Sequence, residues 1–378
     1  MRFKDIIGND NVVKALVGMA DSGRVPHALM MYENDGGGAL AIALAFISYL
    51  NCKDRHDGDS CGECASCNQT DKLIFPDLRF TFPITSGTKV SGEVSKLTCD
   101  NFVPYWRELV SANPYFLENE LSTALGIEKK SGVIAVAEGK AIMQKLSLSS
   151  VTDGYRCIVI WLPEKMNQQT ANMLLKSIEE PEGKTVFILI THQPEAVLPT
   201  ISSRCLPLRV LPLSGEEVRR TLVEKMGVTE EEASRAAFFS GGSVGFALHT
   251  LSEDGDFGAM HEIVEDMIGK MLERDFLGTL EIGEALAAME SREKQKAFCN
   301  FAGDCLRKIF MIQQKMDDIA GIPPESEAFY RNVAGRCSRS FCRKAIEMIN
   351  RTSLMLDRNV SQKILFCNMV SRMYTSIV

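Results

Sequence analysis

In residues 1–210 the apolar positions fall into short unbroken runs, separated by stretches in which they recur at helical spacing. His27-Ala-Leu-Met-Met-Tyr32 is one such run and predicts a strand. Glu33-Asn-Asp-Gly-Gly-Gly38 follows as a glycine-rich turn, and Ala39 to Leu50 is apolar enough to predict a buried helix. Arg156 to Leu162 and Thr185 to Ile190 predict two more buried strands, with helices over Ile134–Leu148 and Asn167–Glu180, the latter stopped by Pro181. Unbroken apolar strands alternating with helices imply a parallel sheet covered on both faces. Past residue 210 the strand signal stops. Gly215–Met226 and Thr229–Phe239 predict helices broken at Gly227, and Ser240-Gly-Gly-Ser243 caps another. Residues 256–378 are helical in pattern, with a break at 321–324 and an apolar stripe in the final stretch from Ser361. Residues 78–132, with Pro83, Gly87, Gly92, Pro104 and Pro114, show little periodicity and read as an inserted segment of mixed structure.

Composition fits this α/β plus all-α picture. The chain has 378 residues, 45% hydrophobic and 24% charged, enough for two or three domains with real cores. A formal net charge of −7 offers no global basic field for nucleic acid, so any DNA contact is expected to be local or shared with partner subunits. The polar start Met1-Arg2-Phe3-Lys4-Asp5 lacks a signal-peptide core, and no apolar run is long enough for a membrane span. A cytoplasmic protein with no membrane partner is therefore expected.

Strand, glycine turn and helix together form the setting of a phosphate-binding loop. The pattern G-x-x-x-x-G-K-[ST] laid on this chain begins at Glu33 and ends at Gly38, Ala39 and Leu40. Of the loop glycines Gly36, Gly37 and Gly38, only Gly38 holds a motif position. The phosphate-neutralising lysine is replaced by Ala39, the magnesium-holding hydroxyl by Leu40, and Glu33 adds a charge that repels phosphate. The plain alternative is a glycine turn with no nucleotide history. A second magnesium-handling element would be an apolar strand ending in acidic residues. Here the strand Ile158-Val-Ile160 ends in Trp161-Leu162-Pro163, and acid returns only at Glu164. Both elements have thus become apolar, as in a site released from catalysis.

At these residues the chain resembles bacterial clamp-loader subunits of DNA polymerase III, members of the AAA+ family. The resemblance rests on Trp161-Leu-Pro-Glu-Lys-Met-Asn167, Thr170-Ala-Asn-Met-Leu-Leu-Lys-Ser-Ile-Glu-Glu-Pro181, Pro199-Thr-Ile-Ser-Ser-Arg-Cys205, Phe3-Lys-Asp-Ile-Ile-Gly8 and Gly23-Arg-Val-Pro-His-Ala28. It covers residues 1–77 and 133–250 and is only topological over 256–378. Within the family the chain is most similar to the member whose own nucleotide site is degenerate. The resemblance implies that Arg204, in the Ser203-Arg204-Cys205 signature, is an arginine finger reaching a neighbouring subunit's ATP, a task suited to a permanently charged fork. The commoner fate of an arginine is a surface ion pair. The family's second arginine sensor falls in Gly242-Ser-Val-Gly-Phe246, where Phe246 replaces it.

Twelve cysteines are present. Cys99, Cys157, Cys205, Cys299, Cys305, Cys337, Cys342 and Cys367 are scattered, mostly among apolar neighbours, and read as small core residues. Cys52, Cys61, Cys64 and Cys67 are clustered as C-x8-C-x2-C-x2-C, which suits a closed tetrahedral structural Zn2+ site. Disulfides are disfavoured in a reducing compartment, and the segment 53–60 is too polar for a core. His56 is near enough in sequence to compete as a ligand. Similar modules follow the phosphate-loop helix in clamp-loader subunits.

The architecture implied is a three-part AAA+ fold. Residues 1–208 form a Rossmann-like nucleotide-binding-like module with a zinc module at 51–77 and the inserted segment at 78–132. Residues 209–255 form a helical lid and 256–378 a helical collar. The resemblance further implies a hetero-oligomeric ring with gamma/tau-type ATPase and delta-type subunits, acting on the sliding clamp and primed DNA within a polymerase holoenzyme. The chain would have no ATPase activity of its own and bind no ATP. Two rivals are an ATP-hydrolysing motor subunit, against which Ala39-Leu40 argue, and a zinc-dependent nucleic-acid-binding protein. The rival needs a basic surround to the cysteines, whereas residues 52–77 hold Asp54, Asp57, Asp59, Glu63, Asp71 and Asp77 against Lys53, Arg55 and Lys72.

Overall fold

The computed structural model describes residues 1–378 apart from 129, 252–256, 290–291, 317–319, 321, 323, 357, 359 and 378. The expected break at 321–324 and the boundary at 255/256 fall largely outside the described residues. The chain divides into two compact units, one of Met1–Ser214 with Gly242–Phe246, the other of Gly215–Gly241 with Ala247–Val378.

The first unit is built on a five-stranded parallel sheet. Its strands are β1 (Ala28–Tyr32), β2 (Leu78–Thr81), β3 (Arg156–Trp161), β4 (Thr185–Thr191) and β5 (Leu206–Arg209), in the order β2-β3-β4-β1-β5. Its helices are α1 (Asp10–Asp21), α2 (Ala39–Asn51), α3 (Ala65–Asp71), α4 (Val103–Ala112), α5 (Glu118–Leu125), α6 (Val136–Leu146), α7 (Gln168–Glu179) and the short α8 (Pro199–Ser202). Every residue of α2, β3 and β4 is buried, which explains why their sequences carry no polar face. One core lies against β1, β3 and β4 and includes Ile142, Ile158, Leu174, Phe187 and Ile201. Asn167 caps α7, its side chain accepting from the Thr170 N–H at 2.8 Å.

Residues 78–132 are an integral part of this unit. β2 pairs with β3, so the segment supplies an edge of the sheet itself. Trp106 on α4 is fully buried. It stacks on Phe82 with centroids 4.3 Å apart and meets Phe80, Phe116 and Trp161 at 5.5, 5.5 and 6.1 Å. Buried Glu138 on α6 locks the segment from beneath, accepting from Arg79 Nη2 at 3.0 Å, Thr81 Oγ1 at 2.8 Å and the Cys99 N–H at 2.8 Å.

The second unit is helical: α9 (Gly215–Met226), α10 (Glu230–Phe239), α11 (Val244–Leu251, whose residues up to Phe246 belong to the first unit), α12 (Phe257–Leu272), α13 (Phe276–Ala287), α14 (Arg292–Gln313), α15 (Pro324–Arg336), α16 (Phe341–Leu356) and α17 (Gln362–Ser376). Thr229 and Glu232 form the capping box that starts α10. Phe298, Tyr330, Phe341 and Phe366 are fully buried and form its centre, where α14 packs on α16 and α13 on α17. No described helix is long and apolar enough to cross a membrane.

Candidate functional site

The glycine turn between β1 and α2 has the shape of a phosphate loop, but the chain's own groups fill it. The backbone from Gly36 to Gly38 passes through left-handed conformations, with φ of +73° at Gly36 and +104° at Gly38, so the turn depends on glycine at both. The Gly38 carbonyl accepts the first helical bond from the Ile42 N–H at 3.0 Å. The Ala39 N–H, which a phosphate oxygen would use in a working loop, instead donates to Glu33 Oε2 at 2.6 Å. Glu33 is thus a tethered anion at the positive end of α2.

Two other segments of the first unit close over the turn. The Tyr115 ring lies where any Cβ on Gly38 would be, 2.6 Å from that position, and its hydroxyl accepts from the Ile7 N–H at 3.1 Å. Leu117 and Ser243 crowd Gly36 in the same way. Ser243 Oγ donates to the Asp35 carbonyl at 2.7 Å, and the Gly245 N–H donates to the Gly36 carbonyl at 3.0 Å. The Asp35 carboxylate accepts from the Glu118 N–H, at 3.1 Å to each oxygen.

A buried charge cluster lies beside the turn. His192, at the end of β4, places Nε2 4.0 Å from Glu33 and Nδ1 3.7 Å from Asp35. Leu162 takes a left-handed turn, φ +57°, which brings Glu164 back to accept from Thr191 Oγ1 at 2.8 Å and the His192 N–H at 3.1 Å. The acid displaced from the strand end therefore binds the protein's own donors. Burial pushes the Glu33 carboxyl up to about 7 and that of Asp35 to about 6, against the pull of His192. Burial also raises Glu164, while the surrounding carboxylates outweigh burial at His192 and raise it. A triphosphate placed here would meet the buried Glu33 carboxyl and the half-buried Asp35 and Glu164, and neither the lysine nor the hydroxyl of a working loop.

Arg204 is remote from this turn in its contacts. It lies exposed just past α8, donating from Nε to Glu179 Oε2 at 3.0 Å and from Nη1 to the Thr200 carbonyl at 3.0 Å. Ser203 beside it is exposed, and Cys205 turns inward, donating to the Ile201 carbonyl at 3.3 Å.

The four clustered cysteines come together. The Sγ atoms of Cys52, Cys61, Cys64 and Cys67 all lie within 4.8 Å of one another. Cys52 ends α2 and Cys64 starts α3, so two helices frame the group. The Cys61 N–H donates to Cys52 Sγ at 3.3 Å, and the Cys64 N–H to Cys61 Sγ at 3.3 Å, as suits thiolates. This set of soft donors fits a metal ion. His56 is exposed beside Asp57 and is not among the four. Of the eight scattered cysteines, seven are buried and Cys367 is half-buried.

A family model described as "DNA polymerase III, delta subunit" matches residues 8–214. The chain belongs to this clamp-loader family. DNA polymerase III subunit delta' of Yersinia pestis is 30% identical over 194 residues, 51% of this chain and 44% of that protein. Subunit gamma of Buchnera aphidicola is 24% identical over 280 residues, 72% of this chain and 64% of that protein. Subunit delta' of Escherichia coli K12 is 26% identical over 242 residues, 63% of this chain and 58% of that protein. The chain spans about half the length of the curated relatives it matches.

For a clamp-loader chain, the loop residues read from the sequence sit where they were expected, at the end of β1 and the start of α2. What the sequence did not reveal is what fills the loop. Tyr115 and His192 reach it from 77 and 154 positions beyond Gly38 in the chain. Their only local signal is placement: an aromatic after Asn113-Pro114, and one of five histidines at a strand end.

Proposed function

We propose that this clamp-loader chain is a delta-prime-type subunit, which hydrolyses no ATP itself and supplies Arg204 in trans to the ATP of a neighbouring gamma/tau-type subunit during clamp loading on primed DNA. The observation that carries the reading is the Glu33 carboxylate on the Ala39 N–H, under Tyr115. It takes the Ala39 amide from a phosphate and sets an aromatic ring against Gly38. Relatives named gamma and tau match as well as those named delta', so the choice rests on this loop. Arg204 suits the role because an exposed ion pair with Glu179, the Thr200 carbonyl and a long contact with Ser203 Oγ at 3.5 Å hold it, and such exposed pairs contribute about 0–1 kcal/mol. A neighbour's phosphate would compete easily for its fork.

In this reading residues 1–208 form the inactive AAA+ module, 209–255 the lid and 256–378 the collar that joins the ring. Cys52, Cys61, Cys64 and Cys67 would hold a structural Zn2+ that stiffens the region after α2 and leaves no position for reactive water.

Isothermal titration of the purified chain with Mg-ATP is expected to give no heat of binding, and tight binding would overturn the non-catalytic assignment. Arg204→Ala, assembled with the ATPase subunits, is expected to lower clamp- and DNA-stimulated turnover by about 100-fold or more, as loss of a finger does. Unchanged turnover would remove Arg204 from the mechanism.

A further inference from the structure

The charge of the chain is unevenly placed. Residues 331–378 carry nine basic side chains and two acidic ones, Glu347 and Asp357, a net of +7 in a chain whose total is −7. The remaining 330 residues therefore carry −14. A local excess of this size against the background charge marks an electrostatic contact surface.

The fold gathers part of that charge on one face. α16 buries Phe341, Cys342, Ala345, Ile349, Thr352 and Leu356. The opposite stripe is exposed and presents Arg343, Lys344, Glu347, Asn350 and Arg351. Arg339 in the turn before α16 and Arg358 beyond it are exposed as well. None of Arg339, Arg343, Lys344, Arg351 and Arg358 forms an ion pair among the described residues, although other exposed arginines such as Arg204, Arg307 and Arg331 do. Glu347 is the one acid within the stripe. Lys344 and Arg351 are seven residues apart on the helix, roughly 10 Å at 1.5 Å per residue, comparable with the width of the DNA major groove.

We infer that the exposed face of α16, centred on Arg343, Lys344 and Arg351, is a contact surface for the sugar-phosphate backbone of duplex DNA. Arginine dominates the patch, and its fork pairs with phosphate oxygens. No aromatic side chain is exposed along this stripe, so it holds no base-stacking platform, and sequence-independent contact with duplex is the chemistry it fits. The inference goes beyond the role given to Arg204, and neither depends on the other.

The test is fluorescence anisotropy of the full chain with a labelled mixed-sequence duplex of about 20 base pairs, between about 50 and 300 mM NaCl. Wild type is expected to bind weakly, with affinity falling as salt rises. Arg343→Gln/Lys344→Gln/Arg351→Gln is expected to reduce the slope of log affinity against log salt by about 2.7. Its affinity at about 0.1 M salt should fall on the order of 100-fold. A variant with the same charge change elsewhere, Lys14→Gln/Arg24→Gln/Arg220→Gln, is expected to bind as wild type, and Arg343→Lys/Arg351→Lys to keep the slope. Absence of duplex binding by wild type at low salt overturns the inference, as does equal loss in the control variant. It is also overturned if the triple variant binds DNA normally but no longer co-purifies with other loader subunits. The face would then serve an acidic protein surface.

Discussion

A carboxylate with only 4% of its side chain exposed must be neutralised or matched, and Glu33 is offered both. The Ala39 N–H and the positive end of α2 favour its charged form, as does His192. Burial, Asp35 and the negative surroundings favour the proton. Burial wins and holds the carboxyl at about 7, above the unfolded value of 4.5. The native state therefore binds more protons than the unfolded chain between pH 4.5 and 7, and stability contributed here falls as pH rises through that window. Asp35, raised from 3.8 to about 6, acts in the same direction. So does His192, whose charged form is favoured in the fold and whose contribution is lost as pH rises through its raised value. Glu33→Gln keeps an oxygen for the Ala39 N–H and removes the titration. Thermal unfolding at pH 5 and pH 8 is expected to show near-equal stability for the two proteins at the lower pH. At the higher pH the variant should gain on the order of 2 kcal/mol. A gain that is the same at both pH values would show that Glu33 is not the titrating group. The substitutions at Ala39 and Leu40 were legible in the sequence, because a motif compares each position with a fixed chemical need. The carboxylate's own position in the loop was legible only as a repulsion, since nothing local says that its side chain turns back onto the helix.

At the scale of elements, burial decided what could be read. β1, β3 and β4 are central strands whose unbroken apolar runs announce them. Both edge strands escaped. β2, Leu78-Arg-Phe-Thr81, is four residues long and carries Arg79, which pairs with Glu138 inside the unit. β5, Leu206-Pro-Leu-Arg209, is largely exposed and contains Pro207, which a central strand would not tolerate. Segment 78–132 looked like an insertion because its order comes from packing across the fold and not from local periodicity. Trp106 sits between Phe82 and the end of β3, and the chain continues directly from this cluster through Phe116 to Tyr115 and Leu117 over the loop. The segment that appeared least structured is thus the one that covers the nucleotide position. Trp106→Ala is expected to cost about 3–5 kcal/mol in chemical denaturation, as for other fully buried aromatics. A cost below about 1 kcal/mol would mean that the segment is ordered independently of this residue.

At the scale of the whole molecule, the two units have separate cores, and the cysteine cluster belongs to the first. Cys52 continues directly from α2, the most buried helix of that unit, and the loop between Cys52 and Cys61 reaches back to the start of the chain. Asp59 accepts from the Phe3 N–H at 2.9 Å and from the Lys4 N–H at 3.1 Å, and Ser60 Oγ accepts from Ser48 Oγ at 3.3 Å. A metal ion on the four cysteines would therefore brace α2 and the N-terminal segment together, and its removal, with the thiols taking protons back, would leave nothing to hold the four side chains together at the end of that helix. The sequence made this cluster plain because its cysteines lie close together along the chain, whereas the loop's covering needed the fold. One equivalent of zinc is expected by elemental analysis of the purified chain. Chelation is expected to lower the calorimetric transition of the first unit by about 5–10 °C, corresponding to a loss of a few kcal/mol in a unit of this size. The transition of the helical unit, which holds none of these cysteines, should not move. If chelation leaves both transitions in place, the module is a local appendage and does not brace α2. If it moves both equally, the two units unfold as one.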